Sequence, residues 1–198
     1  MIRHCKIGFA VLLAVVSGTA EEYPGWSAEI RSKVEAGRCI VLAKRPDEGG
    51  EPDSRFVTVA AVVGGSRETI WDVINDKENA ADFLDGVLES RVIERRGDRL
   101  LVEQRTRVGG PRGSYRYRLW HELRPMRRAD FTYAGGELRN VLGSWWIFDA
   151  SEEDACIVVY SLHIDPGVLA PQVVVKAGMR KTMPRTIQSI AKEVARRK

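Results

Sequence analysis

Apolar and polar residues alternate along much of the middle of the chain, a pattern that predicts antiparallel β-strands. Runs of this kind, separated by Gly, Pro or acidic turn residues, predict a six-strand meander at residues 87–96, 100–108, 114–123, 129–134, 141–148 and 156–165. Two earlier apolar runs, at 38–44 and 56–63, predict two further strands. Because polar residues hold alternate positions within 100–108, we expect one face of the sheet to be exposed to water.

The last segment of the chain has a different period. Between residues 170 and 198, apolar residues recur at steps of three or four, so they fall on one side of a long helix. These residues are Val175, Met179, Met183, Ile187, Ile190, Ala191 and Val194. Pro184 lies inside the pattern, where a proline removes one backbone hydrogen bond and is expected to kink the helix.

Shorter helices are predicted before the meander. They cover residues 21–37, residues 67–75 with Ser66 as N-cap, and residues 79–84 with Phe83 as apolar anchor. The order of these elements predicts an α+β fold in which an antiparallel sheet packs against one long C-terminal helix.

The first twenty residues have the layout of a secretory signal. Arg3 and Lys6 precede an apolar run that ends in small residues at Gly18 and Ala20. We therefore predict export to a bacterial periplasm or secretion after cleavage, in preference to an uncleaved anchor. The predicted organisation is a signal peptide at 1–20, an N-terminal extension at 21–54, and one ligand-binding domain at 55–198.

The charge pattern does not favour a nucleic-acid partner. The formal net charge is +4 for the whole chain, and loss of Arg3 and Lys6 with the signal would lower it by two. The basic residues are spread along the sequence without a nucleic-acid-binding motif, so no nucleic acid is predicted as a partner.

The cysteines and histidines do not form a metal-ligand pattern. Cys39 and Cys156 leave a disulfide open, although Cys156 alternates with apolar residues as a core side chain does. His121 and His163 are predicted to lie on opposite faces of the sheet, and no phosphate-binding or nucleophile motif is present. No metal and no cofactor is predicted.

Several short stretches, taken in order, resemble one known superfamily. They are Ile70-Trp71-Asp72-Val73-Ile74-Asn75-Asp76, Phe83, Ser144 with Trp146 and Phe148, Val158 with Tyr160, and Asp165-Pro166-Gly167 leading to Pro171. The chain from about residue 56 onward resembles the START-like or helix-grip superfamily, also called SRPBCC, near its coenzyme-Q-binding and polyketide cyclase/dehydrase branch. The resemblance implies a curved sheet wrapped around the terminal helix, with an apolar cavity that takes a lipid, an isoprenoid quinone or another hydrophobic ligand.

On this basis we predict a set of ligand-binding side chains between sheet and helix. The set is Tyr115, Tyr117, Leu119, Trp146, Phe148, Tyr160, Leu162, Met179, Arg180 and Met183. Aromatic rings with a few hydroxyl groups suit an apolar pocket that orients its ligand, although the same residues could form a solid core. Arg180, beside the apolar stripe, either extends to water or meets a polar group of the ligand.

The favoured function is that of an exported protein that binds or carries a hydrophobic molecule without catalysis. The alternative is a polyketide-type cyclase or dehydratase that uses Tyr115, Tyr117 and His121 as acid and base groups in the same cavity. A third hypothesis is a partner-binding module that uses the extra N-terminal strand and the loop at 45–54.

A transient membrane contact is a further expectation. Basic residues cluster at the end of the terminal helix, where they could meet anionic head groups or simply complement the helix dipole. They are Lys192, Arg196, Arg197 and Lys198.

Overall fold

Eight antiparallel strands form a single open, curved sheet in a computed structural model that describes residues 27–107 and 113–198. The strands are β1 (Ile40–Leu42), β2 (Val57–Gly64), β3 (Val87–Arg96), β4 (Arg99–Thr106), β5 (Tyr115–Arg124), β6 (Arg128–Gly136), β7 (Asn140–Asp149) and β8 (Ala155–Asp165). Their order across the sheet is β1-β2-β8-β7-β6-β5-β4-β3. The predicted meander is thus confirmed, while the predicted signal segment lies outside the described residues.

Four α-helices accompany the sheet in the described part of the chain. They are α1 (Ala28–Glu35), α2 (Arg67–Asn75), α3 (Ala80–Phe83) and α4 (Gln172–Arg196), and a short 3-10 turn, Gly167–Leu169, precedes α4. The predicted cap of α2 is present, because the Ser66 hydroxyl accepts a hydrogen bond from the Thr69 amide at 3.2 Å. Pro171 occupies the N-cap position of α4, one residue before the first turn.

The long helix α4 packs on one face of the sheet, mainly over β2 and β8. Its predicted apolar stripe is buried: Val175, Met179, Met183, Ile187, Ile190 and Val194 all join the main core cluster, and Ala191 packs against it. This face of the sheet, called the inner face below, contributes alternate residues of β2, β5 and β8 to the same cluster. The α+β helix-grip architecture is therefore confirmed.

The outer face of the sheet has two different regions. Over β2, β7 and β8 it forms a second apolar cluster that includes Val34 of α1 and Leu42 of β1. Over β3, β4 and β5 it carries ion pairs, in which the Glu103 carboxylate accepts from Arg91 at 2.6 Å and from Arg118 at 2.9 Å. The expected water-exposed face is present over these last strands, whereas α1 packs against the outer face at β2.

Candidate ligand-binding site

Strand β5 supplies the most regular set of inward-facing side chains. Tyr115, Tyr117, Leu119 and His121 alternate along its inner face, and each is at most 6 % exposed. The residues between them point outward, as a pleated strand requires. The sequence prediction for these four side chains is therefore consistent with where the structure places them.

An aromatic row crosses the inner face from β8 to β5. The Tyr160 ring stacks on Trp145 with centroids 3.9 Å apart, Phe131 lies 6.5 Å from Tyr160, and His121 lies 5.6 Å from Phe131. Tyr117 and Tyr160 also interact electrostatically, and burial raises the pKa of the Tyr160 phenol. The row provides flat apolar surfaces that end at one imidazole.

The sequence analysis assigned two aromatic residues to the wrong face. Trp146 and Phe148 lie on the outer face, in the cluster that includes Val34. Trp145 and Ile147 are their inward-facing neighbours on β7. Both faces of β7 are buried, so the alternation of apolar residues carried no information on which set faces α4.

The predicted ligand-binding residues of α4 differ in burial. Met179 and Met183 are buried against the inner face, as is Leu162 of β8. Arg180 is exposed to solvent and belongs to neither apolar cluster, so its predicted place among the lining residues is wrong. One residue after Met179 on a helix, the side chain has turned away from the buried stripe.

Several polar atoms of the inner face have no hydrogen-bond partner among the described residues. They include the Tyr115 hydroxyl and both ring nitrogens of His121. The Tyr117 hydroxyl differs, because it accepts a hydrogen bond from Thr106 at 3.0 Å. A buried polar group without a partner costs about 1–3 kcal/mol, so these atoms are a departure from ordinary core packing.

Lys77 is a buried cation that the sequence analysis did not identify. It lies just after α2, is 6 % exposed, and donates a hydrogen bond from Nζ to the Ile74 carbonyl at 2.6 Å. Burial lowers its pKa to about 8, against the opposing effect of Asp76. A single lysine in a polar stretch of sequence gives no sign that tertiary packing will bury it.

His121 is neutral in this environment. Burial holds its pKa well below its ordinary value, and the nearby Lys77 ammonium lowers the pKa further. A neutral imidazole offers one N–H donor and one nitrogen acceptor, and either can pair with a polar atom of a ligand. Together with the ammonium, it makes a polar end in an otherwise apolar interior.

The three groups suggested for catalysis are not brought together. Tyr115 and His121 are six residues apart on β5, which is roughly 20 Å of extended strand. Tyr115 therefore lies toward one end of the inner face, and His121 with Lys77 lies toward the other. His163, on the opposite face of β8, contacts the Phe56 ring and has Nδ1 3.3 Å from the Arg55 carbonyl.

Buried side chains from the sheet and α4 meet in the main core cluster, where each is at most 9 % exposed. Of the two best-formed depressions in the described residues, one, of about 460 Å³, lies beside Phe83 and Glu193 at the C-terminal end of α4. The other, of about 480 Å³, lies beside Arg116 and Gly136 at the far end of β5. Neither of these two depressions lies between α4 and the inner face, where the resemblance implies a cavity.

Cys39 and Cys156 are both free thiols, and burial raises the pKa of each. Residues 27–107 and 113–198 contain no cluster of three or more His, Cys, Asp or Glu side chains that could hold a metal ion. Across the same residues, no helix has the length and hydropathy that crossing a membrane demands.

A comparison with protein families decides the classification. The family model described as "Polyketide cyclase / dehydrase and lipid transport" matches residues 63–191, more than half of the chain. The chain belongs to this family. The match begins in β2 and ends in the last turns of α4, so it spans the inner face and the helix that covers it.

Several solved structures share the fold of this member of the polyketide cyclase / dehydrase and lipid transport family. The Zhui aromatase/cyclase from Streptomyces sp. R1128 has 16% identity and a TM-score of 0.62, over 72% of this chain and 94% of its own. A STAR-related lipid transfer protein from Xanthomonas axonopodis has 10% identity and a TM-score of 0.63, over 79% and 98%.

Human STARD10 is a third similar structure, with 16% identity and a TM-score of 0.62 over 84% of this chain and 77% of its own. Identities this low establish a shared fold. Among curated protein sequences, none matches this chain significantly.

Proposed function

We propose that this chain is an exported protein that binds or carries one hydrophobic molecule between the inner face of the sheet and α4. The observation that carries the proposal is a set of buried polar atoms, on Tyr115 and His121, that find no hydrogen-bond partner among residues 27–107 and 113–198. A core that served only stability would gain by replacing them with apolar side chains. A ligand with matching polar groups would instead give these atoms their partners.

The polar end formed by His121 and Lys77 indicates the chemistry of the ligand. The Lys77 ammonium can donate three hydrogen bonds, of which the Ile74 carbonyl accepts one, and the neutral His121 ring can donate another. A carbonyl or carboxylate oxygen is matched to these donors, whereas a second cation would be repelled. The proposed ligand therefore has an apolar body and an oxygen acceptor at one end.

Export is proposed from the N-terminal sequence. A short apolar run follows Arg3 and Lys6 and ends in small residues, which is the pattern that signal peptidases cleave. A similar protein from Xanthomonas axonopodis is described as a STAR-related lipid transfer protein, and the family description includes lipid transport. Both support a carrier of a hydrophobic molecule, while the proposed export rests on the N-terminal sequence alone.

A cyclase or dehydratase is the second candidate. The observation that favours it is His121, a buried neutral imidazole whose two nitrogens have no partner within the described part of the chain and could act as a general base toward a bound substrate. The similar Zhui protein is an aromatase/cyclase. If the protein is a cyclase or dehydratase, His121 acts without Tyr115, because β5 holds the two groups far apart.

Calorimetric titration with two ligands of equal chain length tests the proposed ligand chemistry. Dodecanoate should bind with a stoichiometry of one, and dodecylammonium should bind much more weakly because of Lys77. The His121→Leu variant should bind dodecanoate about tenfold more weakly, which corresponds to one lost hydrogen bond.

His163→Leu is the matched control, since His163 is also buried but lies on the other face of the sheet. Equal losses in both histidine variants, or equal affinity for the two ligands, would contradict the proposal. Ring closure of a linear poly-β-ketone thioester by the wild type, lost in His121→Leu, would support the enzyme instead.

A further inference from the structure

Three valines, one in the 3-10 turn before α4 and two in the first turn of α4, are exposed to an extent that is unusual for large apolar side chains. Val168 is 100% exposed, Val173 is 73% exposed and Val174 is 60% exposed. They are the most exposed large hydrophobic residues in the described part of the chain, and they lie within seven positions of one another. Single exposed apolar residues need no explanation, but a group of three at one tip does.

The geometry of the helix explains why these valines point outward. Val175 and Met179 occupy the buried stripe, so Val173 and Val174 fall on the opposite side of the first turn. Ala177 and Gly178 continue the same exposed side in the next turn. The outward face of this end of α4 therefore carries apolar and small residues, and no part of the described chain covers it.

The charged side chains of α4 near these valines are all basic. Arg180 and Lys181 are exposed in the turn that follows, and Glu193 is the single acidic residue among the 25 residues of α4. Lys176 reaches across to donate a hydrogen bond to the Ser54 carbonyl at 2.5 Å. Arg139, beside the turn that carries Val168, is also exposed and lies 3.9 Å from Asp165.

An apolar tip with a basic collar fits the surface of an anionic bilayer. Apolar side chains enter the boundary between head groups and acyl chains, and basic side chains pair with the anionic head groups. A nucleic acid would not use the valines. The charge around the valines matches the sign that an anionic bilayer attracts, since α4 carries Lys176, Arg180 and Lys181 near this end and its acidic Glu193 at the other.

We propose that the N-terminal end of α4 docks on anionic membranes, with Val168, Val173 and Val174 inserted and Arg180 and Lys181 at the head groups. This contact lies at the opposite end of α4 from the basic cluster considered in the sequence analysis. In that cluster Arg196 and Arg197 already pair with Glu193, at 2.6 Å and 2.7 Å. The proposal rests on surface residues alone and does not depend on which molecule the interior takes.

Vesicle flotation tests the docking surface. One set of vesicles contains equal parts of phosphatidylcholine and phosphatidylglycerol, and a second set contains phosphatidylcholine alone. The wild-type protein should float with the anionic vesicles, and the Val173→Asp/Val174→Asp variant should bind them at least about tenfold more weakly, because two apolar side chains no longer insert. Lys181→Glu should weaken binding to the anionic vesicles and make the residual binding less sensitive to salt.

Matched controls lie elsewhere on the surface. Val41→Asp changes a valine that is 49% exposed on β1, and Arg95→Glu reverses an exposed charge on β3. Both controls should bind vesicles as the wild type does, and thermal unfolding should show that every variant folds. Docking is contradicted if the wild type does not bind anionic vesicles or if it instead forms dimers through these valines. It is also contradicted if the controls lose as much vesicle binding as the Val173→Asp/Val174→Asp variant.

Dodecanoate titration of the Val173→Asp/Val174→Asp variant separates this proposal from the proposed function. Unchanged dodecanoate binding with lost flotation supports docking at the valine tip. Lost dodecanoate binding in a folded variant would overturn the claim that the tip is a separate surface.

Discussion

The two halves of α4 differ in how they are held. In the C-terminal half, Ile187, Ile190 and Val194 are at most 1% exposed, and Arg197 joins Asp76, the residue that caps α2, at 2.6 Å. In the N-terminal half the buried stripe is narrower, and Val173 and Val174 face solvent on the other side.

Pro184 lies between the halves. It has no amide hydrogen to donate to the Arg180 carbonyl, so the helix lacks one backbone hydrogen bond at this point. Thr182 and Thr186, on either side of it, donate their hydroxyl hydrogens to carbonyls one turn earlier, at 3.2 Å and 3.4 Å. Such bonds often accompany a bend in a helix.

The difference between the halves of α4 indicates which end of the helix could move away from the sheet more easily. The C-terminal half acts as an anchor to α2, whereas the N-terminal half is held by fewer partners and carries the proposed membrane contact. We expect substitutions in the anchor to change the free energy of unfolding, and substitutions at the exposed tip to change binding instead.

Two glycine substitutions should give the largest contrast in the free energy of unfolding between the halves of α4. Gly65 packs against the C-terminal half, and Gly178 lies within the N-terminal half. The backbone φ of Gly65 is +152°, and a Cβ there would overlap the Val194 side chain of the anchor. Gly65→Ala should lower the free energy of unfolding by about 2–5 kcal/mol through backbone strain and overpacking. Gly178→Ala, in the exposed half with open space around it, should raise the free energy of unfolding by about 0.5–1 kcal/mol. Urea denaturation of both variants measures the contrast, and a similar result for the two would contradict it.

The same valine truncation in each half should give the next largest contrast. Val194 is fully buried, so Val194→Ala should cost about 2 kcal/mol for the lost methyl groups and the cavity that remains. Val174→Ala should change the free energy of unfolding by no more than about 0.5 kcal/mol, because the side chain is mostly exposed. A loss of stability at Val174 as large as at Val194 would mean that the tip is part of the core.

Acid should weaken the anchor through Glu193. Hydrogen bonds from Arg196, and then from Arg197, lower the pKa of Glu193 from 4.5 to about 2 in the folded chain. Because the folded pKa lies below the ordinary value, the stabilisation is fully present above pH 4.5 and is lost as the pH falls toward 2.

Glu193→Gln should therefore lower the free energy of unfolding by about 1 kcal/mol at neutral pH and should lose less stability on acidification than the wild type. Melting temperatures measured across this pH range provide the test. Glu153→Gln, in the exposed turn between β7 and β8, is the control and should follow the wild-type curve. An unchanged acid dependence in Glu193→Gln would show that the ion pairs with Arg196 and Arg197 do not stabilise the anchor.

Most of the fold could be predicted because local signals agreed with tertiary packing. The Ser66 cap and the apolar steps of α2 located that helix to the residue, and the stripe from Val175 to Val194 located the buried side of α4. The resemblance supplied the arrangement of sheet and helix, which periodicity alone does not determine.

The errors in the predicted site arose where burial depends on distant parts of the chain. Trp146 and Phe148 were assigned to the inner face because the apolar cluster that α1 completes on the outer face could not be read from β7 itself. Lys77 is buried by packing around the end of α2, and its sequence context is polar. The side chain of Arg180 borders the apolar stripe in sequence but faces water.

Mass spectrometry of small molecules extracted from the purified protein tests the central claim most directly. The full-length chain would be expressed with its own N-terminal segment and purified without detergent, with His121→Leu prepared in parallel. The account predicts one hydrophobic molecule per protein, with a carbonyl or carboxylate oxygen, and a reduced amount in the variant. A folded protein that is empty, and that takes up nothing when incubated with a lipid extract, would contradict the account.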